Sequence, residues 1–180
     1  MRTRVGYSGG TKKNPTYHDL GDHSETIEMD FDPTQISYEK LLEVFWQAHD
    51  PTSRSWSRQY KAAVFFHNDA QEKLAIETRD REAVTKKNKI LTEILPFTGF
   101  YLAEGYHQKY YLRQKTELMR EFAAMYPDDG DFINSTAAAR VNGYVAGYGT
   151  YAMLLTEISS LGLSPEATKK LMDQVRTSHR

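Results

Sequence analysis

The sequence predicts an α/β fold: a mixed sheet flanked by helices, with a helical extension at the C-terminal end. Three observations lead there. Two segments near the N-terminus alternate apolar and polar residues with the period of a strand. The run Ala62-Ala63-Val64-Phe65-Phe66 is nearly unbroken apolar sequence, as in a strand buried on both faces. Elsewhere, apolar residues recur at helical spacing behind good capping residues.

The first strand places Val5 and Tyr7 on one face and Arg4 and Gly6 on the other. Ser8-Gly9-Gly10 breaks it, and Asn14-Pro15-Thr16 is a second turn signal. Glu25 to Phe31 alternates again, with Ile27, Met29 and Phe31 on a half-buried face. Asp32-Pro33 stops that strand, and Ser37 opens a helix as N-cap, with Glu39 in its first turn. Tyr38, Leu41, Leu42, Phe45 and His49 form its stripe, and Asp50-Pro51 ends it. Residues 52–59 form a polar loop carrying one tryptophan, and Tyr60 to Phe66 is the interior strand.

Asn68 followed by Gln71 resembles a capping box, opening a charged surface helix that runs to about Lys87. The basic run Lys86-Lys87-Asn88-Lys89 suits a helix C-terminus. Ile90 to Leu95 is a further strand, Pro96 to Tyr101 an aromatic loop, and Glu104 to about Met125 a helix. After Pro127 the composition shifts. Asp128 to Asp131 is a solvated turn, and residues 135–149 are rich in Ala and Gly. Tyr151 to Leu161 is amphipathic and stops at Gly162, and Ser164-Pro165 starts a last helix. This places a domain boundary between 1–126 and 127–180.

The chain has 180 residues and a net charge of -1, so no long-range field favours nucleic acid or an anionic membrane. It has no cysteine, which excludes disulfides, thiolate metal sites and cysteine nucleophiles within these residues. No apolar run reaches membrane-spanning length and the N-terminus has no apolar signal core, so a soluble cytoplasmic protein is expected. His18, His23, His49 and His107 form no HxH or HxxxH pair, which argues against zinc. No phosphate-loop ending and no nucleophile elbow occurs.

The loop between the first two strands concentrates hydrogen-bonding and titratable groups: Tyr17, His18, Asp19, Asp22, His23 and Glu25. Such a loop suits a site, and equally a solvated connection. Its segments RVGYSGG, NPTY and GDHSE resemble consecutive motifs of the A-type peptide methionine sulfoxide reductases. HDP, SRQYKAAVFFH, TEILPFTGFYLAE and YHQKY are similar to the same family in the same order, so the resemblance covers roughly Arg2 to Gln114.

The resemblance implies a ferredoxin-like two-layer sandwich and peptide-methionine (S)-S-oxide reduction, with thioredoxin as reductant, no bound cofactor, and oxidised peptides or proteins as substrates. It implies Glu25 as proton donor and Tyr17 and Tyr60 as hydrogen-bond partners of the sulfoxide oxygen. The family's Gly-Cys-Phe-Trp motif, which carries the nucleophile and the pair receiving the substrate methyl, has no counterpart here. Ser55 or a neighbour stands where the family often has Gly-Asn-Asp, and no aspartate is carried over. Two expectations differ in class: a shortened member whose longer form is an enzyme, or a non-catalytic member serving in binding or interaction.

Overall fold

The computed structural model describes residues 1–178. Chain contacts divide it into two compact units. One comprises Val5–Ile27 and Phe31–Ala103; the other takes Met1–Arg4, Glu28–Asp30 and the chain from Glu104 onward.

The strands are β1 (Arg2–Ser8), β2 (Ser24–Asp30), β3 (Ala63–Phe66), β4 (Glu93–Pro96) and β5 (Phe100–Leu102). They fall into two ladders, one in the order β2-β1-β5 and the other pairing β3 with β4. β1 and β5 are antiparallel with Tyr7 opposite Tyr101, whereas β3 and β4 are parallel with Val64 opposite Ile94. Mixed strand directions and abundant helix agree with the expected α/β class.

In the first unit, helix α1 (Tyr38–Gln47) begins where Ser37 accepts a hydrogen bond from the Lys40 amide at 3.1 Å. Its Leu42 and Trp46 are buried with Val64, Ala75 and Ile90 in one apolar cluster. Trp46 lies four residues after Leu42 on the same helical face, although the expected stripe omits it. Helix α2 (Asp69–Lys86) starts at Asn68, whose side chain accepts from the Gln71 amide at 3.0 Å, and stops at left-handed Lys87. Its charged sequence buries only Ala75 and Thr78, as the few large apolar residues foretell. A smaller cluster gathers Tyr7, Leu20 and Ala103, with Val5, Tyr17 and Tyr101 against it.

The face of β2 is a correction. Ile27 and Met29 are 55% and 41% exposed, whereas Thr26 and Glu28 on the opposite face are more sheltered. Glu28 is held by an ion pair with Arg4, so a charge is accommodated on the sheltered side. Two other segments are shorter than expected. Tyr60 closes a 3₁₀ turn, Arg58–Tyr60, before β3 begins, and β5 occupies part of the expected aromatic loop.

The second unit is helical: α3 (Tyr110–Arg113), α4 (Thr116–Met125), α5 (Asp129–Asn134), α6 (Thr136–Val145), α7 (Tyr151–Glu157) and α8 (Pro165–Ser178). Leu112, Phe122, Phe132, Val141, Leu154 and Leu171 anchor its core. The helix expected from Glu104 to Met125 is broken. A 3₁₀ turn covers Gly105–His107, and Lys109 sits in the left-handed region at φ 51. Lys109 is held there by donating from Nζ to the carbonyl and hydroxyl of Thr3. Asp128 is an N-cap, accepting from the Asp131 amide at 3.1 Å, so the acidic run opens α5 instead of forming a free turn. Among the described residues no helix is long and apolar enough to cross a membrane.

Candidate functional site

The loop after β1 is fixed largely by its own polar groups. Ser8 is buried and donates to the Gly99 carbonyl at 2.5 Å. Gly9 has φ 78, and a Cβ there would lie 2.6 Å from the Phe65 ring, so both conformation and space require glycine. His23 is buried; its Nδ1 accepts from the Gly10 amide at 3.2 Å, which leaves Nε2 to donate to the Lys12 carbonyl at 2.8 Å. Asp22 accepts from the Thr11 amide at 2.8 Å, the Lys12 amide at 3.1 Å and the Thr11 hydroxyl at 2.9 Å. These bonds, the Thr11 amide first, hold its carboxyl well below the usual carboxylate range. Asp22 and His23 are therefore occupied as braces of the loop.

The bracing places Tyr17 and the start of β2. Thr16 and Asp19 exchange backbone hydrogen bonds at 3.3 and 3.0 Å around Tyr17, whose half-buried ring packs on the Tyr7 cluster. At the first residue of β2, Ser24 is buried and donates to the Arg58 carbonyl at 3.0 Å. That bond ties β2 to the 3₁₀ turn bearing Gln59 and Tyr60. Gln59 in turn donates from Nε2 to the Glu25 carboxylate.

Tyr60 forms a side-chain hydrogen bond with Tyr17. This bond is the largest cause of a raised Tyr60 pKa; partial burial and the nearby Glu25 charge act in the same direction. The structure thus brings Tyr17, Tyr60 and Glu25 together, although they come from three separate segments. The cluster faces water: Tyr60 is 42% exposed, and Glu25 is exposed as well. The Trp56 ring lies beside Tyr60, with centroids 4.9 Å apart.

The arrangement makes phenolic hydroxyls, a carboxylate and an amide neighbours. Sequence reading missed Ser24, Gln59 and Trp56 as members of this neighbourhood. Gln59 stands beside Tyr60 in the same RQY motif, which was the available signal. Other candidates disperse. His49 is used by α1, through Nδ1 to the Phe45 carbonyl and Nε2 to the Thr92 hydroxyl, at 2.8 and 2.9 Å. His18 is exposed, and His107 lies near Glu104. Among the described residues no group of three or more His, Cys, Asp or Glu could hold a metal. An open depression of about 830 Å³ lies elsewhere, lined by Glu39, Glu77, Asp80, Arg81, Val84 and Thr85.

Comparison with known proteins bears on this geometry. The family model described as peptide methionine sulfoxide reductase matches residues 1–139. A peptide methionine sulfoxide reductase of Drosophila melanogaster is 36% identical over 167 residues, covering 92% of this chain and 67% of the relative. Peptide methionine sulfoxide reductase A5 of Oryza sativa subsp. japonica is 38% identical over 152 residues, covering 81% of this chain and 59% of the relative. For a Brassica napus peptide methionine sulfoxide reductase, 43% identical over 118 residues, the covered shares are 61% and 46%. The chain spans roughly half to two thirds of the length of these curated relatives.

Among solved structures, reduced Mxr1 from Saccharomyces cerevisiae superposes with a TM-score of 0.58 at 29% identity, covering 64% of this chain and 71% of that one. Methionine sulfoxide reductase A of Corynebacterium diphtheriae gives 0.55 at 29% identity, with 63% of each chain covered. The family match is a single stretch that runs through the braced loop, β2 and the tyrosine-bearing turn, so the chain belongs to the peptide methionine sulfoxide reductase family.

Proposed function

We propose that residues 1–126 form the sulfoxide-recognising part of a cytoplasmic peptide-methionine (S)-S-oxide reductase that acts on oxidised methionine in proteins, and that residues 127–180 are a helical extension. Tyr17 and Tyr60 hold the sulfoxide oxygen, and Glu25 is its proton donor. The observation that carries this reading is the Tyr17–Tyr60 hydrogen bond with the Glu25 charge beside it.

The chemistry follows from the substrate. A sulfoxide oxygen is a strong acceptor, and both phenols can donate to it once it displaces the hydrogen bond between them. The raised Tyr60 pKa keeps that phenol protonated, and so a donor, throughout the neutral range. Reduction begins when a thiolate attacks the sulfur, and the departing oxygen then needs a proton. Glu25 is exposed and hydrogen-bonded to Gln59, so bound peptide would have to cover it before it could act as a buried acid. These 180 residues hold no cysteine, so by themselves they can bind but not reduce. Thioredoxin, the reductant that the family resemblance implies, needs a cysteine to act on.

The test is a pair of assays on the purified chain. With dithiothreitol or thioredoxin, a methionine S-sulfoxide peptide should show no enzyme-dependent loss. Calorimetric titration should show that peptide binding more tightly than its methionine counterpart. Tyr60→Phe should weaken it roughly fivefold, the worth of one neutral hydrogen bond. Steady conversion, or equal binding of the two peptides, contradicts the proposal.

A further inference from the structure

Trp56 is 84% exposed, yet it sits in a loop of Thr, Ser and Arg that gives it little apolar company. An indole left in water forgoes about 25 cal/mol for each Å² of apolar surface. The chain's other tryptophan, Trp46, is buried in the core, so Trp56 does not serve the fold in that way.

Its surroundings hold it in place. The Ser55 hydroxyl donates to the Ser57 carbonyl at 2.7 Å and accepts from the Ser57 amide at 3.3 Å, closing a tight turn around Trp56. Just beyond, the Arg58 carbonyl accepts from Ser24 Oγ at 3.0 Å and from the Lys61 amide at 3.1 Å. The Trp56 and Tyr60 rings pack against each other with their planes inclined at 42°, so they present one continuous aromatic surface. Exposed aromatic side chains on a pinned turn are the usual anchors of a recognition surface, because little conformational freedom is lost when they engage a partner.

We propose that Trp56 determines peptide specificity by receiving an apolar or aromatic side chain two residues from the oxidised methionine. This rests on the oxygen-holding role given to Tyr17 and Tyr60. In an extended peptide, residues advance about 3.3 Å and side chains alternate between faces, so the side chain two residues away lies roughly 7 Å along on the face whose oxygen meets Tyr60. The Trp56 ring centroid stands 4.9 Å from that of Tyr60, and the breadth of the indole carries its surface out to that distance. The substrate class is therefore a flexible, extended segment in which an oxidised methionine has an apolar residue two positions away.

The test uses two labelled peptides, each with one methionine S-sulfoxide and with Phe or Ala two residues away on both sides, together with their unoxidised forms. Affinities are measured by fluorescence anisotropy for the wild-type chain, Trp56→Ala and Trp56→Phe. The wild type should bind the Phe-flanked sulfoxide roughly tenfold more tightly than the Ala-flanked one. In Trp56→Ala that ratio should fall close to one, while the preference for sulfoxide over methionine persists; Trp56→Phe should keep part of the ratio. Matching urea midpoints verify that the exposed substitutions leave the fold intact. Equal affinity of the wild type for both sulfoxide peptides, or a ratio that survives in Trp56→Ala, overturns the proposal and leaves the oxygen site standing. Loss of sulfoxide preference in the wild type, or no binding at all, overturns both.

Discussion

At the residue scale, the phenol of Tyr60 is the most informative group. Its hydrogen bond with Tyr17 favours the protonated form, and the Glu25 carboxylate opposes a second negative charge nearby. In a carbon NMR titration, Tyr60 should lose its proton above the ordinary value of 10.0, and Tyr17→Phe should bring it back toward that value. No change in Tyr17→Phe would refute the hydrogen bond. Motif order singled out Tyr17, Tyr60 and Glu25 in the sequence, and the fold makes the three neighbours. The roles of Asp22 and His23 were not legible, because a carboxylate or imidazole bracing a loop has the same letters as one doing chemistry.

Lys109 is a residue-scale effect in the helical unit. Burial, with Arg113 and Arg4 nearby, pushes its ammonium down from 10.5 to about 8. Between about pH 8 and 10.5 the unfolded chain then binds more protons at this site than the folded one, so this term makes stability rise with pH across that window. Urea midpoints measured at both ends should show a smaller rise, or a larger fall, in Lys109→Met than in the wild type. Identical pH dependence in the two proteins would refute the depressed pKa.

Among the elements, helix starts were the most legible features, because capping is local chemistry. Ser37 and Asn68 were both identified from their sequence surroundings, and each accepts the expected amide hydrogen bond. Asn68→Ala should lower stability by about 1 kcal/mol in urea unfolding; an unchanged midpoint would mean that the cap is dispensable. Breaks were less legible. The helix expected through Lys109 fails because that residue turns left-handed to reach Thr3, a partner more than a hundred positions away that no local pattern reveals. The face of β2 was misjudged for a related reason. Alternation shows that Ile27 and Met29 share a side, but what covers that side depends on other elements. The capping role of Asp128 was hidden because an acidic Gly-containing run resembles a turn.

At the scale of the whole chain, the α/β class and helical C-terminal end followed from periodicity and composition, whereas the split into two strand ladders did not. The β2 edge lends itself to a further measurement. Ile27 and Met29 present apolar surface on a strand at the end of its ladder, a geometry prone to edge association. Sedimentation should show concentration-dependent association that Ile27→Lys suppresses; a wild type monomeric at every concentration would contradict this.

The proposed oxygen-holding residues come without a thiol, since these 180 residues hold no cysteine. The decisive measurement fuses a Gly-Cys-Phe-Trp-containing segment from a family member ahead of Arg2 and assays methionine S-sulfoxide reduction with dithiothreitol. The fusion should turn over, lose most activity when Glu25→Gln or Tyr60→Phe is added, and show a higher urea midpoint than the unfused chain. A folded fusion that stays inactive, or that turns over equally well without Glu25 and Tyr60, would contradict the proposed site.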